Sequence, residues 1–464
     1  MCRSIRRESI WSCTPVTAGL NVAPYDLHVR LLMHSENIQS RVLPAKVVIL
    51  PSFVWFLFTV VVLIVLYLKY FNIYYFYYAP VFHIYSLLVS FYILSRFGIA
   101  LLYKPPPYVG YLPTVTAIVS CKNEEDSIYD TVACIFASNY PRSRLEVIVV
   151  DDGSTDGTYS EMLRAKQTYP SLKILKFPRN LGKRHGMAAG ALAAKHDILV
   201  YIDSDSFVEP FAIRKLVQSF SDPLVGGACG LARVKNATTN HLTKMQEVRY
   251  YVAFCVNKAT ESVFSAVSCC SGCLAAYRRA YVMPILNQWL HQRFLGSQAT
   301  FGDDRSLTNY MLRRYKVVFD SEAVCSTIVP ATARSFFKQQ LRWKKSWIRE
   351  TFIASGFMWR KHPIAALSHY INAVIPVISP FIVLRSIVIP VLSMCFPIFG
   401  TVPISTLYLI GCLLMVSLYG LYYFAYVQSR LWVYGFCSFA YSFVLIWLTY
   451  YALVTVRRNH WGTR

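Results

Sequence analysis

Apolar runs of membrane-spanning length lie at both ends of the chain and constrain its fold more than any other feature. Residues 47–70 and 81–103 are almost entirely aliphatic or aromatic, and further apolar segments cover 364–399, 403–427 and 431–456. About 20 apolar residues in a helix, rising 1.5 Å each, span the ~30 Å hydrocarbon core of a bilayer. With 55% hydrophobic and 15% charged residues, the chain is predicted to be embedded in a membrane and not disordered.

The net charge of +23, from 47 Lys and Arg against 24 Asp and Glu, fits the same class. A basic excess can also indicate nucleic-acid binding, but here the cations flank membrane-length runs, as in cytoplasmic loops of membrane proteins. No nucleic-acid partner is expected. Both ends of the chain are basic and are predicted to be cytoplasmic, which requires an even number of crossings. The segment 364–399 contains four prolines and forms either two short crossings or a re-entrant or interfacial piece.

A soluble α/β segment follows the stiff linker Pro105-Pro106-Pro107. Its β-branched runs alternate with patterns of helical length, which predicts a parallel sheet with right-handed crossovers. The predicted strands cover 115–120, 145–150 and 198–202, and the predicted helices cover 126–138, 156–168 and 184–195. After this segment, Lys, Arg, Trp and Phe are interleaved over 344–361, which predicts a helix on the membrane surface.

Acidic clusters follow two of the predicted strands. Asp151-Asp152 ends the second run, and Asp203-Ser204-Asp205 ends the third. Parallel strands bring their carboxyl ends to one edge of the sheet, where such folds bind ligands. Carboxylates two residues apart on an emerging strand face the same way and can hold a hard divalent cation against a diphosphate. Either cluster alone could be an acidic turn, but together they favour a metal and diphosphate site.

Three further motifs are suited to phosphate and sugar. Gly182-Lys183-Arg184 opens a predicted helix, where cations and backbone amides can bind a phosphate. Gly302-Asp303-Asp304-Arg305 sets two carboxylates beside a cation. Gln339-Gln340-Leu341-Arg342-Trp343 combines a guanidinium for phosphate with an indole on which a sugar ring can stack. Each motif could instead belong to a solvated surface.

The order of these motifs resembles that of processive family-2 glycosyltransferases with the GT-A fold, such as cellulose, chitin and hyaluronan synthases. The resemblance is greatest to the hyaluronan synthases and covers about residues 115–350 and the last four. The stretches that carry it are Gly182 to His185, Arg249 to Phe254, Gln292 to Gly296, Gly302 to Asn309, Gln339 to Trp343, Lys345 to Glu350 and Trp461 to Arg464.

The resemblance implies a donor site for a UDP-sugar with Mg²⁺ or Mn²⁺ as cofactor. In this site, two carboxylates would bind the metal, and the metal would neutralise the charge of the diphosphate. By this resemblance the nucleotide-sugar would be bound by Asn123, Glu124, Asp151, Asp152, Lys183, Asp203 and Arg342, and the metal by Asp203 and Asp205.

On the acceptor side, the resemblance implies that Asp304 is the general base, which deprotonates the acceptor hydroxyl for direct, inverting displacement of UDP. A carboxylate performs this task only when its surroundings tune its pKa. The acceptor sugar would be bound by Ser271, Gly272 and Trp343. Gln339, Trp461 and Arg464 would form a gate.

Sugar choice is the open point of the resemblance. Ser271-Gly272-Cys273-Leu274 stands where the family usually has Ser-Gly-Pro-Leu, and the segment from Cys269 to Arg279 also looks like the chito-oligosaccharide synthases. The leading hypothesis is a hyaluronan synthase that uses UDP-GlcNAc and UDP-GlcA. The alternatives are a chitin or chito-oligosaccharide synthase that uses UDP-GlcNAc alone and, from another class, a non-catalytic transporter with a nucleotide-sugar regulatory domain.

The fold implied is an α/β GT-A domain with a mostly parallel sheet, joined to an α-helical transmembrane domain with interfacial helices. The protein is expected in the plasma membrane, with its catalytic domain in the cytoplasm and its polysaccharide product leaving through a channel among the spans. The predicted parts are a basic tail at 1–46, two transmembrane helices at 47–104, the catalytic domain at 108–335, the Gln-x-x-Arg-Trp and interfacial helices at 336–363, the C-terminal transmembrane segments at 364–456 and the gating segment at 457–464.

Overall fold

The computed structural model describes residues 51–75, 80–384, 406–437 and 445–458, together with the isolated residues 388 and 392. The predicted basic tail at 1–46 lies outside the described residues. So do Trp461 and Arg464 of the predicted gate, and much of the proline-rich segment 364–399.

An eight-stranded mixed sheet occupies the middle of the described chain. Its strands, in chain order, are β1 (Val115–Cys121), β2 (Leu145–Asp151), β3 (Lys173–Lys176), β4 (Ile198–Asp203), β5 (Ser206–Val208), β6 (Val225–Val234), β7 (Ala275–Arg278) and β10 (Lys316–Thr327). Their spatial order is β3-β2-β1-β4-β7-β6-β10-β5. A separate hairpin pairs β8 (Arg293–Phe294) with β9 (Ser297–Gln298).

The sheet is parallel on one side and mixed on the other. Strands β3, β2, β1 and β4 run parallel, as the alternating pattern predicts. Strand β7 is antiparallel to both β4 and β6, and β5 is antiparallel to β10. The expectation of a mostly parallel sheet is therefore confirmed for strands β1 to β4. The antiparallel strands β5 and β7 make the whole sheet mixed.

The central strands are buried on both faces because helices cover the sheet on each side. All seven residues of β1 are buried, and an uninterrupted apolar run is what such a strand requires. Burying each large aliphatic side chain contributes about 1.5–3 kcal/mol. The helices that follow the first three strands are α3 (Ile128–Phe136), α4 (Thr158–Thr168) and α5 (Lys183–Ala193), close to their predicted positions.

Long apolar helices surround this α/β domain in the chain. They are α1 (Pro51–Tyr75), α2 (Pro80–Ala100), α13 (Pro363–Val383), α14 (Thr406–Val427) and the shorter α15 (Leu448–Val454). Within the described ranges, three segments are long and apolar enough to cross a membrane: Ser52–Phe71, His83–Ala100 and Pro363–Val383. The structure thus has membrane-length helices both before and after the sheet.

The apolar run 431–456 begins differently from the other runs. Residues Arg430–Gly435 form a 3₁₀ helix. This segment lies against α14, where a Cβ on Gly420 would come 2.6 Å from the Trp432 carbonyl oxygen. The close approach of two backbones leaves no room for side chains, so the first part of the run packs on α14.

The helical segments between β5 and α13 complete the domain. They are α6 (Ala212–Leu216), α7 (His241–Val252), a π-helical turn (Ala253–Lys258), α8 (Ala259–Val263), α9 (Arg279–Val282), α10 (Leu286–Leu290), α11 (Asp303–Leu312) and α12 (Ala333–Ser355). Helix α12 contains the predicted basic and aromatic stretch. Phe352 is 71% exposed and Trp359, just beyond the helix, is 61% exposed, whereas Arg349 and Glu350 are buried.

Gly302 allows α12 to cross the start of α11. It has φ +74°, and a Cβ there would lie 1.8 Å from Ser346 Oγ on α12. Any side chain at this position would push the two helices apart.

We predict that Gly302→Ala destabilises the protein more than Gly296→Ala. Gly296 also has a positive φ, +82°, but no atom lies within 4 Å of the place that a Cβ would take. Gly296→Ala should therefore lose only the about 1–2 kcal/mol that comes from backbone strain. Overpacking at Gly302 should add about 1–3 kcal/mol. Thermal unfolding midpoints of the two purified variants measure the difference, and equal midpoints would contradict a tight helix crossing at Gly302.

Candidate active site

The predicted site residues collect at the carboxyl edge of the parallel strands. Strands β1, β2 and β4 end there at Cys121, Asp151 and Asp203. Because β7 runs the opposite way, the loop 269–274 that precedes it reaches the same edge. The topology therefore brings four separate stretches of sequence to one place.

Asp151 and Asp152 both hold backbone turns. Asp151 is fully buried and accepts a hydrogen bond from the Ser154 amide at 2.9 Å. Asp152 accepts bonds from the amides of Leu181 and Gly182 at 2.7 and 2.8 Å. Burial raises the pKa of Asp152, and the two amide bonds offset only part of this. Each oxygen keeps a lone pair for a further donor, so Asp152 can still meet a ligand.

The turn after β1 is tied to the turn after β2. Asn123 has φ +55°, a conformation that Asn tolerates better than most residues. Its side-chain oxygen accepts a hydrogen bond from the Thr155 amide at 2.9 Å, and the Glu124 amide donates to Thr158 Oγ1 at 2.7 Å. These bonds give the two turns one shared shape at the sheet edge.

The carboxylates after β4 lie beside a lysine. Lys183, the first residue of α5, forms an ion pair with Asp203. Burial lowers the pKa of Lys183, but the charge and hydrogen bond of Asp203, together with the charges of Asp303 and Asp304, raise the pKa overall. Asp205 is buried, and Thr327 Oγ1 lies 3.4 Å from its Oδ1. Two carboxylates and an ammonium thus share this corner.

The loop before β7 approaches Asp203 closely. A Cβ on Gly272 would lie 2.7 Å from Asp203 Oδ1, so only glycine leaves this carboxylate its position. Ser271, the preceding residue, accepts a hydrogen bond from Lys258 Nζ at 2.6 Å. The residues predicted for the acceptor therefore lie next to those predicted for the metal.

The carboxylate pair fits a divalent cation shared with a phosphate ligand. Within the described residues, no three His, Cys, Asp or Glu side chains are grouped closely enough to hold a metal by themselves. Mg²⁺ and similar hard cations, however, often bind one or two carboxylates and take their remaining ligands from substrate phosphates. The donor set at Asp203 and Asp205 fits that arrangement.

Arg184 does not face the phosphate position that its motif suggested. Its guanidinium is 3% exposed, donates to Asp303 Oδ1 at 2.7 Å and to the Trp289 carbonyl at 2.9 Å, and stacks on the Trp289 ring. Arg184 therefore points into the domain and fixes α11 to α5. Lys183 alone of this pair faces the sheet edge.

A buried polar network continues from this ion pair to α12. Gln292 accepts hydrogen bonds from Arg184 and Ser306 and donates to Glu350 at 3.1 Å. Asn309 also donates to Glu350, and Arg349 pairs with the same carboxylate. The residues of this network come from three of the stretches that carry the sequence resemblance, and their hydrogen bonds join α11 to α12.

Asp304 differs from its neighbour Asp303 because it lies half-buried at the site. Its Oδ1 accepts a bond from the Arg305 amide at 2.8 Å, and Cys269 Sγ lies 3.6 Å from Oδ2. The charge of Asp304 acts on Lys183 and on Lys258. Asp303 is occupied by Arg184, so Asp304 is the member of the pair that can accept a proton from a ligand.

Trp343 lies on α12 next to an aromatic row on α7 and the π-helical turn that follows it. Its ring centroid is 6.3 Å from that of Tyr250, which is 6.4 Å from that of Phe254. Trp343 is 42% exposed, so part of the indole is open to a ligand. Gln339 and Arg342 lie on the same helix, one turn before Trp343 and directly before it.

Lys258 is the site residue that the sequence analysis missed. It lies on the π-helical turn, and its ammonium contacts Ser271 and the Phe254 ring, 4.0 Å from the ring centroid. The signal available in the sequence was the spacing of Tyr250, Phe254 and Lys258, four residues apart, which places side chains on one helix face. Without a structure, nothing linked that face to the sheet edge.

Comparisons with known proteins show the family to which this chain belongs. Residues 116–286 match the family model Glycosyl transferase family 2. A hyaluronan synthase from Streptococcus pyogenes is 30% identical over 391 residues, which cover 82% of this chain and 90% of that protein. The chain belongs to glycosyltransferase family 2. The prediction of an enzyme, a UDP-sugar glycosyltransferase like the hyaluronan synthases, is confirmed, and the non-catalytic alternative is wrong.

Two further relatives of this family-2 glycosyltransferase bear on its fold and specificity. An N-acetylglucosaminyltransferase from Mesorhizobium japonicum is 30% identical over 77% of this chain and 84% of that protein. The solved mannosyltransferase PcManGT from Pyrobaculum calidifontis, in complex with GDP-Man and Mn²⁺, covers 82% of this chain and 99% of its own, with a TM-score of 0.55 and 20% identity. The last likeness supports the predicted GT-A-like fold.

We predict that Arg184→Met lowers stability by about 3–5 kcal/mol, the usual cost of leaving one member of a buried ion pair unpaired. The control is Lys316→Met, which breaks the exposed pair with Asp222 and should cost less than about 1 kcal/mol. Unfolding midpoints in detergent compare the two. If the two variants lose equal stability, Arg184 does not anchor α11.

Proposed function

We propose that this glycosyltransferase is a membrane-embedded, processive, inverting enzyme that polymerises hyaluronan from UDP-GlcNAc and UDP-GlcA and exports it. One observation carries the proposal. The sheet edge with Asp152, Lys183 and Asp203 is connected to Trp343 by contacts that run through Lys258, Phe254 and Tyr250, and Asp304 lies against the loop at this edge. Membrane-length helices precede and follow the domain. The similarity to a streptococcal hyaluronan synthase over most of both chains supports this product.

The donor would bind between the β1 and β2 turns and the acidic pair. In this proposal Asp152, with Asn123, Glu124 and Asp151 around it, binds the uridine. Lys183 and Arg342 balance the charge of the diphosphate, because a lysine beside a carboxylate can exchange that partner for phosphate oxygens.

Asp203 and Asp205 are proposed to hold Mg²⁺ or Mn²⁺ together with the diphosphate. The metal supplies positive charge that stabilises the leaving UDP. The donor set supports this role, since two carboxylates leave coordination positions for phosphate oxygens. The metal in the structure of the archaeal mannosyltransferase is Mn²⁺.

Asp304 is proposed to be the general base. The acceptor hydroxyl oxygen forms a bond to the anomeric carbon of the donor sugar while the bond from that carbon to UDP breaks, and the hydroxyl proton passes to the Asp304 carboxylate. Attack from the face opposite UDP inverts the configuration at the anomeric carbon. Trp343 stacks on the acceptor sugar, and Ser271 and Gly272 line its position.

Export follows from the position of the site beside the apolar helices. A hydrophilic polymer cannot cross hydrocarbon without a channel. We propose that the protein lies in the plasma membrane with its catalytic domain in the cytoplasm and its product among the spans. The predicted division into tail, spans, catalytic domain, interfacial helices and C-terminal gate is kept as part of this proposal, with Gln339, Trp461 and Arg464 in the gate. In support, Lys345 on α12 donates to the carbonyl of Arg458, which lies in the proposed gating segment 457–464.

A chitin or chito-oligosaccharide synthase that uses UDP-GlcNAc alone is the second candidate. Two observations favour it: the similarity to a rhizobial N-acetylglucosaminyltransferase and Cys273 in the acceptor loop. The two candidates share the same reaction and differ in whether glucuronate enters the product.

The decisive test supplies purified enzyme with each UDP-sugar alone and with both, followed by digestion with a hyaluronan-specific lyase. We expect lyase-sensitive polymer only when both donors are present. Polymer from UDP-GlcNAc alone would replace hyaluronan with a chitin-type product.

We predict that Asp304→Asn reduces turnover by about 10²- to 10⁴-fold, the contribution of a positioned general base. UDP binding, measured by calorimetry, should remain within about threefold of the wild type. Asp303→Asn serves as the matched control, because it should lower stability while leaving the carboxylate that takes the proton. Full turnover in Asp304→Asn would refute the base assignment.

We predict that Asp205→Asn weakens metal-dependent UDP binding by about tenfold or more, since a neutral amide is a poorer ligand for a hard cation. Titration of UDP with and without Mg²⁺ or Mn²⁺ measures the effect. If the metal strengthens UDP binding equally in the variant and the wild type, Asp205 is not a ligand.

A further inference from the structure

Lys258 carries a charge that the described protein does not neutralise directly. Its ammonium donates to Ser271 Oγ at 2.6 Å, lies 4.0 Å from Cys229 Sγ and sits over the Phe254 ring. No Asp or Glu in the described ranges forms an ion pair with it, whereas the neighbouring Lys183 and Arg184 both have carboxylate partners. Burial lowers the pKa of Lys258, but the thiols of Cys229, Cys269 and Cys270 and then the Asp304 carboxylate together raise the pKa overall.

A partly buried ammonium without a carboxylate partner lowers the stability of the protein unless a ligand supplies the opposite charge. Leaving a buried charge without a direct counter-ion is strongly destabilising. The hydroxyl, the thiol and the ring around Lys258 are neutral or weak partners. The position is therefore suited to an anionic group that enters with the substrate.

The surroundings of Lys258 form a surface for a saccharide. Trp343, Tyr250 and Phe254 lie in a row that leads from the open indole to Lys258, and Lys258 bonds to Ser271 in the loop beside the acidic pair. The helix turns in a π-conformation at Ala253–Lys258, a distortion often found at functional sites. Aromatic faces bind sugar rings, and an ammonium at the end of the row can bind a carboxylate.

We propose that Lys258 binds the carboxylate of a uronic acid at the acceptor end of the growing polymer. The inference rests on the proposed hyaluronan product. It names Lys258 as the residue that distinguishes the two sugars at which the acceptor can end. When the acceptor ends in glucuronate, the ammonium binds its carboxylate. When it ends in N-acetylglucosamine, which is neutral, the ammonium stays on Ser271.

We assign Lys258 to the acceptor sugar and not to the donor sugar because the two lysines of the site, Lys183 and Lys258, have different neighbours. Lys183 lies on Asp203, at the proposed donor diphosphate. Lys258 lies on the Ser271 side, along the row that leads to Trp343, and Cys269 in the same loop as Ser271 lies 3.6 Å from Asp304 Oδ2. An acceptor that donates its proton to Asp304 occupies this side of the site.

The experiment separates the two half-reactions with the full-length enzyme. In the first, a hyaluronan oligosaccharide with a glucuronate non-reducing end receives one GlcNAc from UDP-GlcNAc. In the second, an oligosaccharide with a GlcNAc end receives one glucuronate from UDP-GlcA. We expect Lys258→Met to raise the acceptor KM of the first about 10- to 100-fold, as for the loss of a charged hydrogen bond, and to change the second less than about threefold.

Two controls make the result specific to charge. Lys258→Arg should retain both half-reactions within about threefold, and Lys215→Met, on the exposed pair with Glu322, should match the wild type. An acceptor whose terminal glucuronate is a neutral methyl ester should lose affinity for the wild type by the same factor, and Lys258→Met should not distinguish ester from acid. This double cycle isolates the contact between ammonium and carboxylate.

The outcomes that overturn the inference differ from those that overturn the proposed product. If Lys258→Met slows both half-reactions equally, or affects only transfer from UDP-GlcA, Lys258 does not recognise an acceptor uronate, and the proposed hyaluronan product still stands. If the wild-type enzyme adds no sugar to glucuronate-ended acceptors and builds polymer from UDP-GlcNAc alone, the proposed product and the inference both fail.

Discussion

The buried ion pair between Arg184 and Asp303 holds the site together. It joins the helix that begins at Lys183 to the helix that carries Asp304, and Gln292 extends it to Glu350 on α12. Because a buried charge is tolerated only when paired, the two helices are held in one register. As a result Lys183, Asp304 and Trp343 keep fixed positions although they lie far apart in the chain.

Neighbouring residues of the same charge have different roles at this site. Asp303 is a buried anchor and Asp304 lies half-buried at the site. Arg184 faces inward, while Lys183 beside it contacts Asp203 at the sheet edge. On a helix, adjacent side chains point about 100° apart, so a helix that packs on the sheet must direct one to the interior and one to the edge. In both motifs the structure assigns one residue to stability and leaves one for chemistry.

Glycines set how closely the pieces approach. Gly272 brings the acceptor loop against the Asp203 carboxylate, and Gly302 brings α12 against the start of α11. In both places a methyl group on the glycine would overlap atoms of the neighbouring segment. The proposed transfer needs the acceptor hydroxyl within bonding range of the donor carbon, and an active site gains rate from such proximity. Gly272 and Gly302 thus allow the acceptor loop and helix α12 to lie close to the residues proposed for the transfer.

Local patterns in the amino-acid sequence were sufficient to predict the classes of element and a site for a metal and a diphosphate, and the resemblance of the ordered motifs to family-2 glycosyltransferases supplied the reaction. The apolar runs, the strand and helix alternation from 115 to 202 and the acidic strand ends are recognised from their period and composition. Tertiary contacts, in contrast, were needed to show that β7 runs antiparallel, that Arg184 serves Asp303 and not a phosphate, and that Lys258 joins the site. These features depend on contacts between residues far apart in the chain, which no local pattern encodes.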